Sequence, residues 1–231
     1  MRALPSRTWI SIGVLAVSVA VALSATMSNV QTKESQAAMA PAKALTALKD
    51  GNKRFVAGKS IQKDLPAKVK ATKDGQYPFA AVLSCMDSRV PAEIVFDQSI
   101  GDFFSIRVAG NVVNTDNLGS LEYAVKVTGV KLIVVMGHTS CGAVHGAIED
   151  VKVGNLTELL AKIQPAVKEA GPGNPKDHAY VDKVGERNVH LAMKQIREKS
   201  PVLKEAIDSG AVGLAGGMYD LETGTVTFYA D

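Results

Sequence analysis

Apolar runs of strand length punctuate the middle of the chain: FAAVLS at 79–84, FFSIRV at 103–108 and KLIVVM at 131–136. Between the second and third lies NLGSLEYAVKVTG (117–129), whose Leu118, Leu121, Tyr123 and Val125 suit a crossover helix. Strand, helix and strand at this spacing predict a parallel sheet, because parallel neighbours need a long connection. Upstream, Ala42 to Gly58 reads as a helix, with Leu45, Leu48 and Phe55 sharing a face with Asn52 and Gly58 as its stop. Lys59 to Gln76 is polar and lysine-rich and predicts only a connection. Beyond Cys141 the period turns helical: Leu156, Leu159, Leu160 and Ile163 repeat on one face, as do Val189, Ala192, Met193 and Ile196. GPGNPKD (171–177) separates the two, and Pro201 suits the first turn of a further helix. The closing AVGLAGGMYDLETGTVTFYAD reads as two strands joined at LETG. The predicted architecture is one α/β domain, a mostly parallel central β-sheet flanked by helices with a C-terminal strand pair at its edge.

The N-terminus changes the picture of where that domain works. Arg2 and Arg7 precede an uncharged, mostly apolar run from Thr8 to Val30, followed by small residues, the order expected of an export signal. Cleavage after Ala25, Ala37 or Ala38 is compatible with it; a retained anchor is the rival, since the run approaches the roughly 20 residues that span a bilayer. Residues 1–39 are therefore expected to be a signal peptide or anchor and 40–231 the folded domain, in an exported, periplasmic or otherwise extracytoplasmic protein. Membrane contact is then expected only through an uncleaved N-terminal segment. Removing three basic residues and one acid with that segment takes the formal charge from +3 to +1. A near-neutral body with dispersed basic residues offers no electrostatic case for nucleic acid.

Only two cysteines occur in 231 residues, too few for a disulfide framework. Cys85 ends the first strand-like run in VLSCMDSRVPAE, and Cys141 follows His138 by three residues in VVMGHTSCGAVHGA. In a parallel sheet both segments emerge at the carboxyl edge, where open α/β sheets bind ligands. Three readings are open: an exported disulfide, two unconnected buried thiols, or a metal held by Cys85, His138 and Cys141. The metal reading accounts for all three residues following apolar runs. Two thiolates and one imidazole suit Zn2+, which in a catalytic site keeps its fourth position for water. Such a site has a formal charge of zero, so an unpaired Asp87 beside it would hinder ionisation of that water. Arg89 is placed to take a bidentate salt bridge to Asp87, leaving the carboxylate to orient the water by hydrogen bonding. Without that bridge Asp87 is positioned to become the fourth ligand.

CMDSRVPAE, RVAGN (107–111), GHTSCGAV and LKDGNKRFVAG (48–58) together resemble the β-class carbonic anhydrases, in the family's order and spacing, over Leu45 to Asp231. The resemblance implies zinc on Cys85, His138 and Cys141, an Asp87–Arg89 dyad, and reversible hydration of carbon dioxide to bicarbonate and a proton. It also implies a homodimer or dimer of dimers with the active site near the subunit interface. Of the family's two subtypes, the open one is suggested by Gln76, which matches its substrate-donating glutamine. Phe104 and Tyr123 match its apolar pocket, Tyr123 arriving from the partner. Val82 stands where the gated type tends to carry tryptophan, although Ala109 replaces a valine of plant-like members. Gly142 matches the place where the backbone approaches the reacting species. Two rivals are hydrolysis of carbon disulfide or carbonyl sulfide on the same fold, and a non-catalytic, zinc-stabilised bicarbonate-binding scaffold. His145 is read as a surface or packed residue rather than a proton relay, and His178 and His190 carry no assigned role.

Overall fold

The computed structural model describes residues 30–229. A five-stranded sheet forms the centre: β1 (Ala80–Ser84), β2 (Phe103–Arg107), β3 (Leu132–His138), β4 (Gly213–Tyr219) and β5 (Val226–Tyr229), in the order β2-β1-β3-β4-β5. The first four are parallel and β5 pairs antiparallel with β4, as the hydrophobic pattern predicts. β1 and β3 are buried along their whole length, which is why both read as unbroken apolar runs rather than alternating ones. β2, at the edge, is only half covered.

Ten α-helices surround the sheet among the described residues: α1 (Lys33–Ala37), α2 (Pro41–Val56), α3 (Leu65–Thr72), α4 (Ala92–Val95), α5 (Thr115–Glu122), α6 (Gly142–Ile148), α7 (Gly154–Ala161), α8 (Gln164–Ala170), α9 (His178–Lys199) and α10 (Pro201–Asp208). The two sheet faces take alternate strand residues. Ala81, Leu83, Ile133 and Val135 pack on one side with Val189, Met193 and Ile196 of α9. Ala80, Val82, Leu132 and Val134 pack on the other with Ala44 and Leu48 of α2 and Phe96. A third cluster gathers Cys85, Cys141, Val144, Leu160 and Val184 beyond the carboxyl ends of β1 and β3.

Four local features depart from the predicted elements. Lys59–Gln76 contains a helix, α3, whose N-cap Asp64 accepts a hydrogen bond from the Ala67 amide at 3.0 Å, with Pro66 in the first turn. Its buried residue is Lys68, paired with Asp102 at 3.4 Å, so it carries no apolar stripe to betray it. The continuous helix expected over Leu156–Ile163 is broken into α7 and α8, because Pro165 has no amide to donate and its ring excludes the carbonyl four residues back. The crossover helix widens after α5 into a π turn over Tyr123–Val127, closed by the Thr128 amide on the Tyr123 carbonyl at 3.2 Å.

Ordered chain also begins ahead of Ala40. The Thr32 and Ser35 side chains form a capping box for α1, and buried Gln36 donates through Nε2 to the carbonyls of Pro78 (2.6 Å) and Thr128 (2.8 Å). The apolar N-terminal run lies outside the described residues, apart from Val30. Among the described residues no helix is long and apolar enough to cross a membrane.

Candidate active site

Strand geometry delivers the three donors to one place. Cys85 follows the last residue of β1, and His138 is the last residue of the adjacent, parallel β3. Cys141 is the N-cap of α6, reached through a turn at Thr139–Ser140 in which Ser140 adopts φ +52°. All three are buried, and their donor atoms lie within 4.8 Å of one another. The two Sγ atoms are 3.9 Å apart and both cysteines are free. A disulfide needs about 2.05 Å, whereas two sulfurs at about 2.3 Å from a tetrahedral zinc stand roughly 3.8 Å apart. The spacing fits the metal.

His138 supports the same reading. Its Nδ1 lies 2.9 Å from the Thr139 carbonyl, so that nitrogen carries the proton and donates it. Nε2 is left as a lone-pair donor, buried and without a hydrogen-bond partner. A buried imidazole lone pair facing two thiols is a donor set that suits zinc. Both thiols must ionise to serve. The hydrogen bond from Cys141, opposed by burial and aided by His138 and the Gly110 amide at 3.3 Å, lowers the Cys85 thiol below its ordinary value. Cys141 moves the other way: hydrogen bonding to Cys85 and burial push its thiol up, and the amides of Val144 and Ala143 only partly offset this. Binding a cation there releases the thiol protons.

Asp87 and Arg89 stand at the rim. Arg89 Nε donates to Asp87 Oδ1 at 3.0 Å and Nη2 to Oδ2 at 2.8 Å, and the Arg89 amide adds a third bond to Oδ1 at 2.9 Å. The guanidinium hydrogen bond, against partial burial and with that amide, holds the Asp87 carboxyl well below the usual carboxylate range. Asp87 Oδ2 lies 3.9 Å from His138 Nε2. An ionised, oriented acceptor therefore faces the donor cluster without belonging to it. The backbone carrying Cys85 and Asp87 is itself gripped by Arg107, whose Nε and Nη2 donate to the carbonyls of Cys85 (3.2 Å) and Asp87 (2.6 Å). Arg107 and the Gly110 amide thus join the site, and RVAGN is the sequence signal that points at both.

The remaining expected residues lie elsewhere. Gln76 sits with Thr72, Ile100 and Gly101 at the amino end of β1. The five residues of β1 put it about 16 Å or more from Cys85 within one chain. Phe104 pairs with Ala81 near that same end, its ring edge-on to Tyr123 with centroids 6.3 Å apart. Tyr123 is 49% exposed, on the outer side of edge strand β2. A Cβ on Gly142 would meet nothing within 4 Å, so no protein atom of the chain demands glycine there. His145 pairs with Glu149 at 3.3 Å on α6, His190 stacks on Tyr229, and His178 lies 3.2 Å from Ser140 Oγ.

Comparison with known proteins agrees with the pocket. Residues 80–226 match the family model for carbonic anhydrase. Carbonic anhydrase 2 of Mycobacterium tuberculosis is 40% identical over 193 residues, covering 80% of this chain and 90% of that protein. The carbonic anhydrase of Mycolicibacterium smegmatis is 37% identical over 80% of this chain and 92% of its own. A tetrameric β-carbonic anhydrase of Sordaria macrospora superposes with a TM-score of 0.66 at 25% identity, over 79% of this chain and 94% of its own. The chain belongs to the β-class carbonic anhydrases. It is accordingly a zinc-dependent enzyme of reversible carbon dioxide hydration, and its Cys85, His138 and Cys141 fit the metal. These relatives favour carbon dioxide over carbon disulfide or carbonyl sulfide as substrate.

Proposed function

We propose that this carbonic anhydrase works as the open subtype, with Cys85, His138 and Cys141 as zinc ligands, Asp87 and Arg89 as the orienting dyad, and Gln76, Phe104 and Tyr123 supplied by a second copy of the chain. The observation that carries the reading is the doubly hydrogen-bonded Asp87–Arg89 pair beside a free donor set. Zinc, when bound, supplies Lewis acidity at its open corner, which makes water nucleophilic near neutral pH. The chain supplies the rest. Asp87 Oδ2, fixed by Arg89 and acceptor-only, takes the hydrogen bond of the attacking water and so aims the oxygen's lone pair at carbon. Burial around Cys85 and Cys141 excludes competing solvent.

Carbon dioxide has almost no polar handle, so it needs apolar walls and one amide donor. Phe104 and Tyr123 are such walls and Gln76 such a donor, yet all three lie toward or beyond the far end of β1 from their own chain's cysteines. A two-fold dimer that brings the amino end of one sheet to the carboxyl end of the next completes each site twice. The expected assembly is such a homodimer, alone or paired into a tetramer. Stopped-flow hydration of carbon dioxide from pH 6 to 9, with zinc analysis, tests the reading. Activity throughout the range fits the open subtype; activity only at the alkaline end, with Asp87 recruited as a ligand, fits the gated one. Export through the N-terminal segment places the enzyme outside the cytoplasm, where it interconverts the two carbon species near membrane carriers.

A further inference from the structure

We propose that α9 is the gauge that sets the geometry of the zinc site, with Asp182 and Asn188 as positioning residues for the two backbone turns that deliver or tune the ligands. The inference rests on the zinc reading of Cys85, His138 and Cys141. Asp182 Oδ1 accepts a hydrogen bond from the Ser140 amide at 2.6 Å. Ser140 is one of the two residues between His138 and Cys141, and its φ of +52° is a conformation that non-glycine residues adopt only when something holds it. Thr139 beside it is pinned from the sheet: its amide donates to the Tyr219 carbonyl and its Oγ1 accepts from the Leu221 amide, both at 3.0 Å. Asp182 closes the remaining side.

Asn188 does the same for the other turn. Its side chain is 2% exposed, and Nδ2 donates to the Gly110 carbonyl at 2.7 Å. Gly110, at φ +64°, points its own amide at Cys85 Sγ. Six residues separate the anchors, which makes them about 9 Å apart along one rigid helix. Between them α9 lies hard against the sheet: a Cβ on Gly137, the residue before His138, would come within 2.7 Å of Val189 Cγ2, and one on Gly185 within 3.9 Å of the His138 carbonyl. One element thus fixes the spacing of both turns. A shift in either would move a sulfur or the imidazole by the few tenths of an ångström that zinc geometry does not tolerate.

Two isosteric substitutions separate this role from simple stability. Asp182→Asn keeps an oxygen that accepts from Ser140, whereas Asn188→Leu keeps much of the shape but has no proton to give Gly110. The measurements are the zinc dissociation constant by chelator competition and the thiolate charge-transfer band of the cobalt-substituted full-length protein. Expected are a 10- to 100-fold weaker constant and an altered band for Asp182→Ala and Asn188→Leu, and at most about a 3-fold change for Asp182→Asn. Met193→Ala, a core truncation on the same helix, controls for stability and is expected to leave zinc affinity within about 2-fold at equal or greater loss of Tm. The proposal is overturned if Asp182→Ala and Asn188→Leu bind zinc within about 2-fold of wild type, or if Met193→Ala weakens it as much at equal Tm loss. Should Asn188→Leu fail to fold, the Asp182→Ala and Asp182→Asn pair decides on the same criteria. Wild-type protein that binds no zinc at all would instead sink the underlying metal reading.

Discussion

Removing the Arg89 side chain strips both side-chain hydrogen bonds from Asp87 and leaves the proposed ligand set alone. Arg89→Ala is therefore expected to keep its zinc and lose about 100-fold in hydration rate, the scale of a misplaced proton-handling group. Cys85→Ser and His138→Ala are expected to lose metal and activity together, and metal analysis beside stopped-flow hydration separates the two classes. The dyad also has a pH signature. Because Asp87's folded carboxyl is held below its unfolded value, the pair stabilises the fold above about pH 4 and loses that contribution as pH falls further. Urea midpoints of metal-free wild type and Arg89→Ala are thus expected to differ at pH 7 and to converge only below about pH 4. At this scale the candidate ligands and dyad stand out in the sequence because each lies on or within a few residues of a strand end. Asp182 and Asn188 do not: an acid and an amide on a long polar helix look like solvated surface until the helix is packed against the sheet.

The helices show where pattern reading succeeds and where it stops. α2 and α9 bury apolar stripes, and their positions follow from periodicity alone. α3 buries a lysine, and α1 a glutamine, so neither has a stripe; the signals they do carry are caps, Asp64 before Leu-Pro in one and Thr32 with Ser35 in the other. A similar physical cause split α7 from α8, where Pro165 outweighs an intact apolar period. The buried pair on α3 is testable. Burial, opposed chiefly by Lys68, raises the Asp102 carboxyl, so Lys68→Met is expected to cost about 3 kcal/mol at pH 7 by removing the cation paired with it. A raised folded pKa penalises the fold above that value and stops doing so as pH falls through it, so the deficit is expected to shrink as pH is lowered from 7 in urea titrations. α1 bears on processing: cleavage after Ala37 or Ala38 would discard the Gln36 hydrogen bonds, whereas cleavage after Ala25 keeps them. If the N-terminal segment is a cleaved export signal as proposed, intact-mass measurement of the mature protein is expected to give a chain starting at Thr26, and one starting at Ala38 or Met39 would remove α1 from the mature fold.

At the scale of the whole molecule, the proposed metal ligands and the proposed substrate wall lie toward opposite ends of one sheet and so call for a partner, and that partnership has an arithmetic. Take two defective variants, Cys85→Ser, which cannot hold zinc, and Gln76→Ala, which lacks the amide donor. In a mixed dimer the Gln76→Ala chain still has its three ligands, and the Cys85→Ser chain still offers Gln76 across the interface. One of the two sites is then whole. Random reassortment makes half of the dimers mixed, so unfolding and refolding the variants together is expected to restore about a quarter of wild-type hydration activity. If Gln76 served its own chain's metal, the only zinc-bearing site in the mixed dimer would lack its donor. Mixing would then yield no more than the average of the two variants measured apart. Zinc content sharpens the comparison: co-refolded protein carries half the wild-type metal under either arrangement, so a rise in activity at constant zinc isolates the contribution made across the interface.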